Sequence, residues 1–99
     1  MNTLFPQLEN AQGPFTAVSV GQVNDLPAFA RVMQGFEGPF HIHVACDEMF
    51  IVLSGIVHLD FESSSVSMGP GQSYTVPAGV KHRSRVPDRA ELIVIGGKD

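Results

Sequence analysis

Ten glycines and seven prolines cut this 99-residue chain into short runs. That punctuation constrains the fold more than any other feature, because neither residue continues a helix well and both set turns. Nowhere between them does a 3.6-residue apolar period persist for a helical length. The runs are instead rich in Val, Ile, Phe and Thr and bounded by turn signals, the pattern of an all-β sandwich or barrel. Strands are expected at Phe15–Val20, Leu26–Met33, Phe40–Val44, Met49–Leu53, Ile56–Glu62, Ser65–Met68, Ser73–Val76, His82–Val86 and Leu92–Ile95. Residues 1–12 read as a loose N-terminal arm, residues 13–99 as a single domain, and the tail as fraying at Gly96-Gly97.

The length allows one core and no second domain. With 43 % apolar and 16 % charged residues, the chain has enough apolar surface to fold. No run approaches the ~18 apolar residues of a membrane span, and no segment resembles a signal peptide. Cys46 is the single cysteine, so no intrachain disulfide forms, and a reducing cytoplasm is the expected location. The net charge of −4 disfavours nucleic acid and anionic lipid as partners. Residues 1–80 hold only Arg31 against seven carboxylates, whereas Lys81, Arg83, Arg85 and Arg89 crowd into nine residues. That cluster reads as the solvated face of an edge strand, with an anion-attracting pocket rim as the rarer alternative.

Three histidines stand out by position. His41 and His43 are two residues apart, so on a strand both project from the same face. Glu48 follows across a short loop, and His82 lies on a later strand that a barrel could bring alongside. Three imidazoles and one carboxylate form a mixed N/O donor set suited to Zn, Fe, Ni or Mn. Taken alone, His-x-His is a weak signal, and scattered surface histidines are common.

The glycine and proline frame strengthens it. The chain runs Gly35, five residues, His41, one, His43, four, Glu48, six, Gly55, and then Gly71, five, Pro77, one, Gly79, two, His82. This resembles the two signature motifs of the cupin superfamily, at residues 35–55 and 71–86. The second motif departs at its last position, where Val86 stands for the usual Asn. The resemblance implies a double-stranded β-helix, or jelly-roll barrel, over residues 13–99. It implies a site inside the open end in which His41, His43, Glu48 and His82 hold one divalent transition metal ion. Val86 leaves that set intact, dries its part of the barrel, and puts in doubt any role that needs the Asn.

Other side chains compete for roles. Cys46 is a small loop residue, a pocket thiol or a further ligand; Asp47 competes with Glu48, though motif register favours Glu48. Glu37 reads as an exposed loop carboxylate or a general base, and His58 as a surface residue. Phe40, Phe50, Phe61, Tyr74 and Val86 read as core or pocket wall, and Tyr74 and Ser84 as candidate hydrogen-bond donors to substrate. By alternation Arg83 and Arg85 face outward, leaving Lys81 to reach the mouth. The functional expectation is a metal-dependent enzyme on a small oxygen-rich substrate, with dioxygenase-type chemistry favoured over sugar-isomerase chemistry. The alternative is a non-catalytic barrel that binds a carboxylate or sugar. A homodimer is expected, since a domain this small buries only about two-thirds of its unfolded surface.

Overall fold

A computed structural model describes residues 5–8 and 10–98. The element order is a 3-10 turn Pro6–Leu8, then β1 Phe15–Val23, β2 Leu26–Met33, β3 Phe36–Glu37, β4 Glu48–Ser54, β5 Val57–Asp60, β6 Ser65–Met68, β7 Ser73–Val76, β8 Arg83–Val86 and β9 Ala90–Gly96. The strands pair antiparallel into two sheets, of order β1-β2-β9-β4-β7 and β3-β8-β5-β6. Two facing antiparallel sheets without an α-helix among the described residues form the jelly-roll barrel expected from the motifs. No helix among these residues is long and apolar enough to cross a membrane.

The inner faces make the core by simple alternation. Phe50 and Val52 of β4, Val57 and Leu59 of β5, and Leu92 and Val94 of β9 are buried in one cluster with Met33, Met68 and Val86. Each such side chain contributes about 1.5–3 kcal/mol when fully withdrawn from water. A second, smaller cluster lies on the other face of the larger sheet. Leu8 is buried there against Ala30 and Val32, with Val18, Val20 and Ile93 around it. The described part of the arm therefore packs over the sheet through Leu8.

Several boundaries differ from the sequence reading. The segment 40–44 is not a strand; it makes one isolated bridge, His41 with His82. The short β3 was not expected. Gly96 ends β9 instead of fraying, and the Gly97 N–H donates to the Asp47 carbonyl at 3.1 Å. The cation-rich strand β8 is not an edge: β3 and β5 flank it. Its charges are matched by a residue that sequence reasoning passed over, Asp60 on β5. That buried carboxylate accepts from Arg83 Nε at 2.9 Å, from Arg85 Nε at 2.9 Å and Nη2 at 3.0 Å, and from Ser65 Oγ at 2.7 Å. Arg83 and Arg85 do point outward, as alternation requires.

The Arg85 hydrogen bond, reinforced by Ser65 and Arg83 and opposed by burial, holds the Asp60 carboxyl far below the ordinary carboxylate range. A depressed native pKa contributes stability above the unfolded value of about 3.9, and that contribution is lost as pH falls through the native value. Asp60→Asn is expected to lower Tm at pH 7 by roughly 5 °C or more. The gap between variant and wild type should narrow below about pH 4, and thermal melts across pH 2–7 read both effects.

Candidate metal centre

Backbone pairing brings the four expected residues together. His41 N–H donates to the His82 carbonyl at 2.9 Å, and His82 N–H donates back to the His41 carbonyl at 3.0 Å. Residues so paired across antiparallel chains share a face, and the two rings lie 4.5 Å apart between centroids. His43, two residues on, keeps the same face because the segment is extended, and its carbonyl is held by the Gly79 N–H at 2.7 Å. Its ring lies 4.8 Å from that of His41 and 5.7 Å from that of His82. The alternate residues Phe40, Ile42 and Val44 point away and are exposed. Glu48, the first residue of β4, enters from the opposite sheet. Its Oε1 lies 2.9 Å from His82 Nε2 and 3.5 Å from His43 Nε2.

The outer ring nitrogens are already committed. His41 Nδ1 donates to the Pro39 carbonyl and His82 Nδ1 to the Val80 carbonyl, each at 2.9 Å. A carbonyl can only accept, so both Nδ1 atoms carry protons and both Nε2 atoms are aimed at the cluster. Burial raises the Glu48 carboxyl, but the His82 hydrogen bond and the charges of His43 and Arg31 outweigh it and hold the pKa below the ordinary value. Burial lowers the His82 imidazole, yet the bonds to Glu48 and to the Val80 carbonyl raise it overall. His82 Nε2 and Glu48 Oε1 thus meet inside the barrel, both side chains buried.

One donor atom from each of His41, His43, Glu48 and His82 lies within 4.8 Å of the others. Zinc-type bonds to N and O run about 2.0–2.2 Å, so two donors of one ion stand at most about 4.4 Å apart. The set thus fits a metal ion after shifts of a few tenths of an ångström. Its outer-nitrogen hydrogen bonds are those that orient metal-binding imidazoles.

The remaining candidates fall elsewhere. Asp47 Oδ1 accepts from the Ala78 N–H at 2.9 Å, so it secures a turn and leaves the cluster to Glu48. Cys46 Sγ accepts from the Lys98 N–H at 3.3 Å and is a loop residue outside the cluster. Glu37 is exposed and pairs with Arg83 at 3.5 Å. His58 Nδ1 bonds Ser67 Oγ at 2.7 Å on the outward face of the smaller sheet.

A cavity of about 260 Å³ opens onto the cluster, with His41, His43 and Glu48 in its wall. Phe50 and Ser84 line it as expected, but Val86 is wholly buried in the core behind it. Phe40 lies outside under the Arg83 guanidinium, 4.6 Å from its ring centre. Phe61 and Tyr74 pack on each other away from the cavity. The apolar wall comes instead from Phe15, Phe29 and Phe36 together with Phe50. Lys81 lies beside Phe40 and Glu62 and does not line it. Sequence reasoning also missed two kinds of wall residue. Arg31 projects from β2 into the cavity, and the signal was a lone cation in the apolar run Leu26–Met33. Gly96 and Gly97 make room for Glu48: a Cβ on Gly97, whose φ is +73°, would collide with the Glu48 carboxylate.

With fold and site in place, comparison with known proteins gives the family. Residues 28–96 match the family model described as "Cupin domain". The chain belongs to the cupin family. It is 35 % identical over 68 residues to the uncharacterised protein YdbB of Bacillus subtilis (strain 168), a match covering 68 % of this chain and 59 % of that protein. The chain thus spans about three-fifths of that relative's length. Among solved structures it is similar to a cupin-2 domain containing protein from Shewanella frigidimarina, with a TM-score of 0.84 at 22 % identity, covering 93 % of this chain and 89 % of that one. It is also similar to protein NMB1881 from Neisseria meningitidis, with a TM-score of 0.80 at 20 % identity and 96 % of each chain covered.

Gly97 and Gly79 provide a test of the cramped carboxylate. Both have positive φ, +73° and +85°, but a Cβ on Gly79 meets nothing within 4 Å. Gly79→Ala is expected to lose only the left-handed backbone cost of about 1–2 kcal/mol. Gly97→Ala should lose more, because Glu48 must also move; urea denaturation of the two variants measures the difference.

Proposed function

We propose that this cupin is a metal-dependent enzyme acting on a small oxygen-rich molecule, with O₂-dependent cleavage of an enediol or diketone favoured over sugar isomerisation. The observation that carries the reading is the convergence of His41, His43, Glu48 and His82 at an apolar-walled cavity. A divalent ion held there would act as a Lewis acid toward substrate oxygens and offer positions open to ligands.

The chain's own residues support the ranking. Isomerisation of a carbonyl sugar needs a base to move a proton. Once the three histidines and Glu48 serve as ligands, the described cavity wall offers no further carboxylate or imidazole. A sugar phosphate would also want several cations or backbone N–H groups. Arg31 is the one lysine or arginine on the described wall, while Arg83 and Arg85 are turned outward to Asp60. Phe29, Phe36 and Phe50 exclude water, and Ser84 supplies a hydroxyl for orientation.

The metal half of the reading is tested by thermal shift. At a zinc concentration of 100 times Kd, binding to the native state adds about 2.7 kcal/mol, or roughly 10–20 °C in Tm. His43→Ala and Glu48→Gln are each expected to abolish most of that shift and to lower metal stoichiometry. Equal shifts in wild type and variants would overturn the assignment. For the chemistry, protein purified without oxygen and loaded with iron or manganese should consume O₂ with an enediol or diketone. Absence of uptake, together with interconversion of an aldose and a ketose phosphate, would reverse the ranking.

We also propose a homodimer. β1 is an edge strand of the larger sheet, and its Phe15 and Val23 are 42 % and 55 % exposed. Pairing or packing of two such strands would cover them. Light scattering should give twice the 10.7 kDa chain mass at micromolar concentration, and a monomer mass would reject the dimer.

A further inference from the structure

Arg31 is the one lysine or arginine on the described wall of the cavity. It sits on the inward face of β2 between Phe29 and Met33, paired across the sheet with Leu92. Its Nε is buried and has no hydrogen-bond partner. The guanidinium lies over the Phe15 ring, 5.2 Å from the centroid, which steadies its plane without occupying its donors. Glu48 feels its charge, but Glu48 Oε1 is turned to His82 and His43.

A guanidinium stays charged at any physiological pH and presents its N–H groups in a rigid planar fork. Holding that charge among phenyl rings with a donor unfilled costs stability, and a partner anion would recover it. The fork matches a carboxylate, two bonds to two oxygens. One fork receives one carboxylate group. The cavity, about 260 Å³ and walled by Phe15, Phe29, Phe36 and Phe50, lies below the usual range for drug-sized ligands.

We infer that Arg31 is a substrate-specificity residue that binds the carboxylate of a small 2-oxo monocarboxylic acid with an apolar tail, whose 2-oxo oxygen is directed at the His41/His43/Glu48/His82 cluster. The direction of that 2-oxo oxygen rests on the metal-site reading above; the carboxylate contact does not.

The test uses isothermal titration of the zinc-loaded full chain with two probes of one shape, 3-methyl-2-oxobutanoate and its neutral amide. Wild type should bind the acid at least tenfold more tightly than the amide. Arg31→Gln should bring acid affinity down to that of the amide while leaving zinc stoichiometry unchanged. Arg31→Lys, which keeps the charge but not the fork, should fall between. A merely structural arginine would not set the acid-over-amide preference, so the ratio is the deciding readout. Its Tm should be unchanged or higher in Arg31→Gln, since a buried charge has been removed. The inference fails if wild type binds acid and amide alike, if it binds neither, or if Arg31→Gln keeps the preference. An acid preference that depends on Arg31 in a chain that takes up no zinc would overturn the metal reading and leave this one standing. One zinc per chain with no acid preference would do the reverse.

Discussion

The double pairing of β9 is the constraint on which the site depends. This strand lies in the middle of the larger sheet, hydrogen-bonded to β2 on one side and β4 on the other. Its register sets Arg31 opposite Leu92 and Glu48 opposite Gly96. A slip of one residue on either side would turn Arg31 or Glu48 out of the barrel, because side chains alternate with a period of two. Leu92 and Val94 resist such a slip, since it would bring buried apolar groups to the surface. The apolar core of β9 thereby aims two charged side chains from its neighbours into one cavity.

The second sheet contributes the histidines by a different device. Segment 40–44 has almost no ladder of its own, and two anchors hold it: the His41–His82 bridge and the bond from Gly79 to the His43 carbonyl. The carbonyls of Pro39 and Val80 then fix two imidazoles through their outer nitrogens. The cluster is therefore oriented by backbone groups, which cost little entropy to position once the barrel has closed. Glu48 arrives from the facing sheet, so the four donors meet only when both sheets are in place.

Charge is segregated along the same lines. Outside the barrel, Asp60 gathers Arg83 and Arg85 on the face of the smaller sheet, where water shares the load. Inside, Glu48 lies with His82, and Arg31 stands apart against Phe15. The outer group is a saturated network; the inner one keeps a donor unfilled. That contrast sets the two charge clusters apart.

From the sequence alone came a small all-β domain, and from the resemblance of its motifs came the barrel and the candidate set His41, His43, Glu48 and His82. Dense Gly and Pro excluded long helices and alternation gave the strands, because these are local signals of turn chemistry and period; the spacing of His41, His43, Glu48 and His82 within the glycine frame marked the cluster through its resemblance to the cupin motifs. Only the tertiary structure decided what surrounds the cluster. Asp60, Arg31 and Gly97 owe their roles to partners far away in the chain, at β8, at β9 and at Glu48, and no local pattern encodes those meetings. The same holds for the wall. The sequence pointed to Phe40, Phe50, Tyr74 and Val86 and not to Phe15, Phe29 and Phe36; which of them face the cavity depends on strand register, sheet twist and where segment 40–44 leaves the ladder.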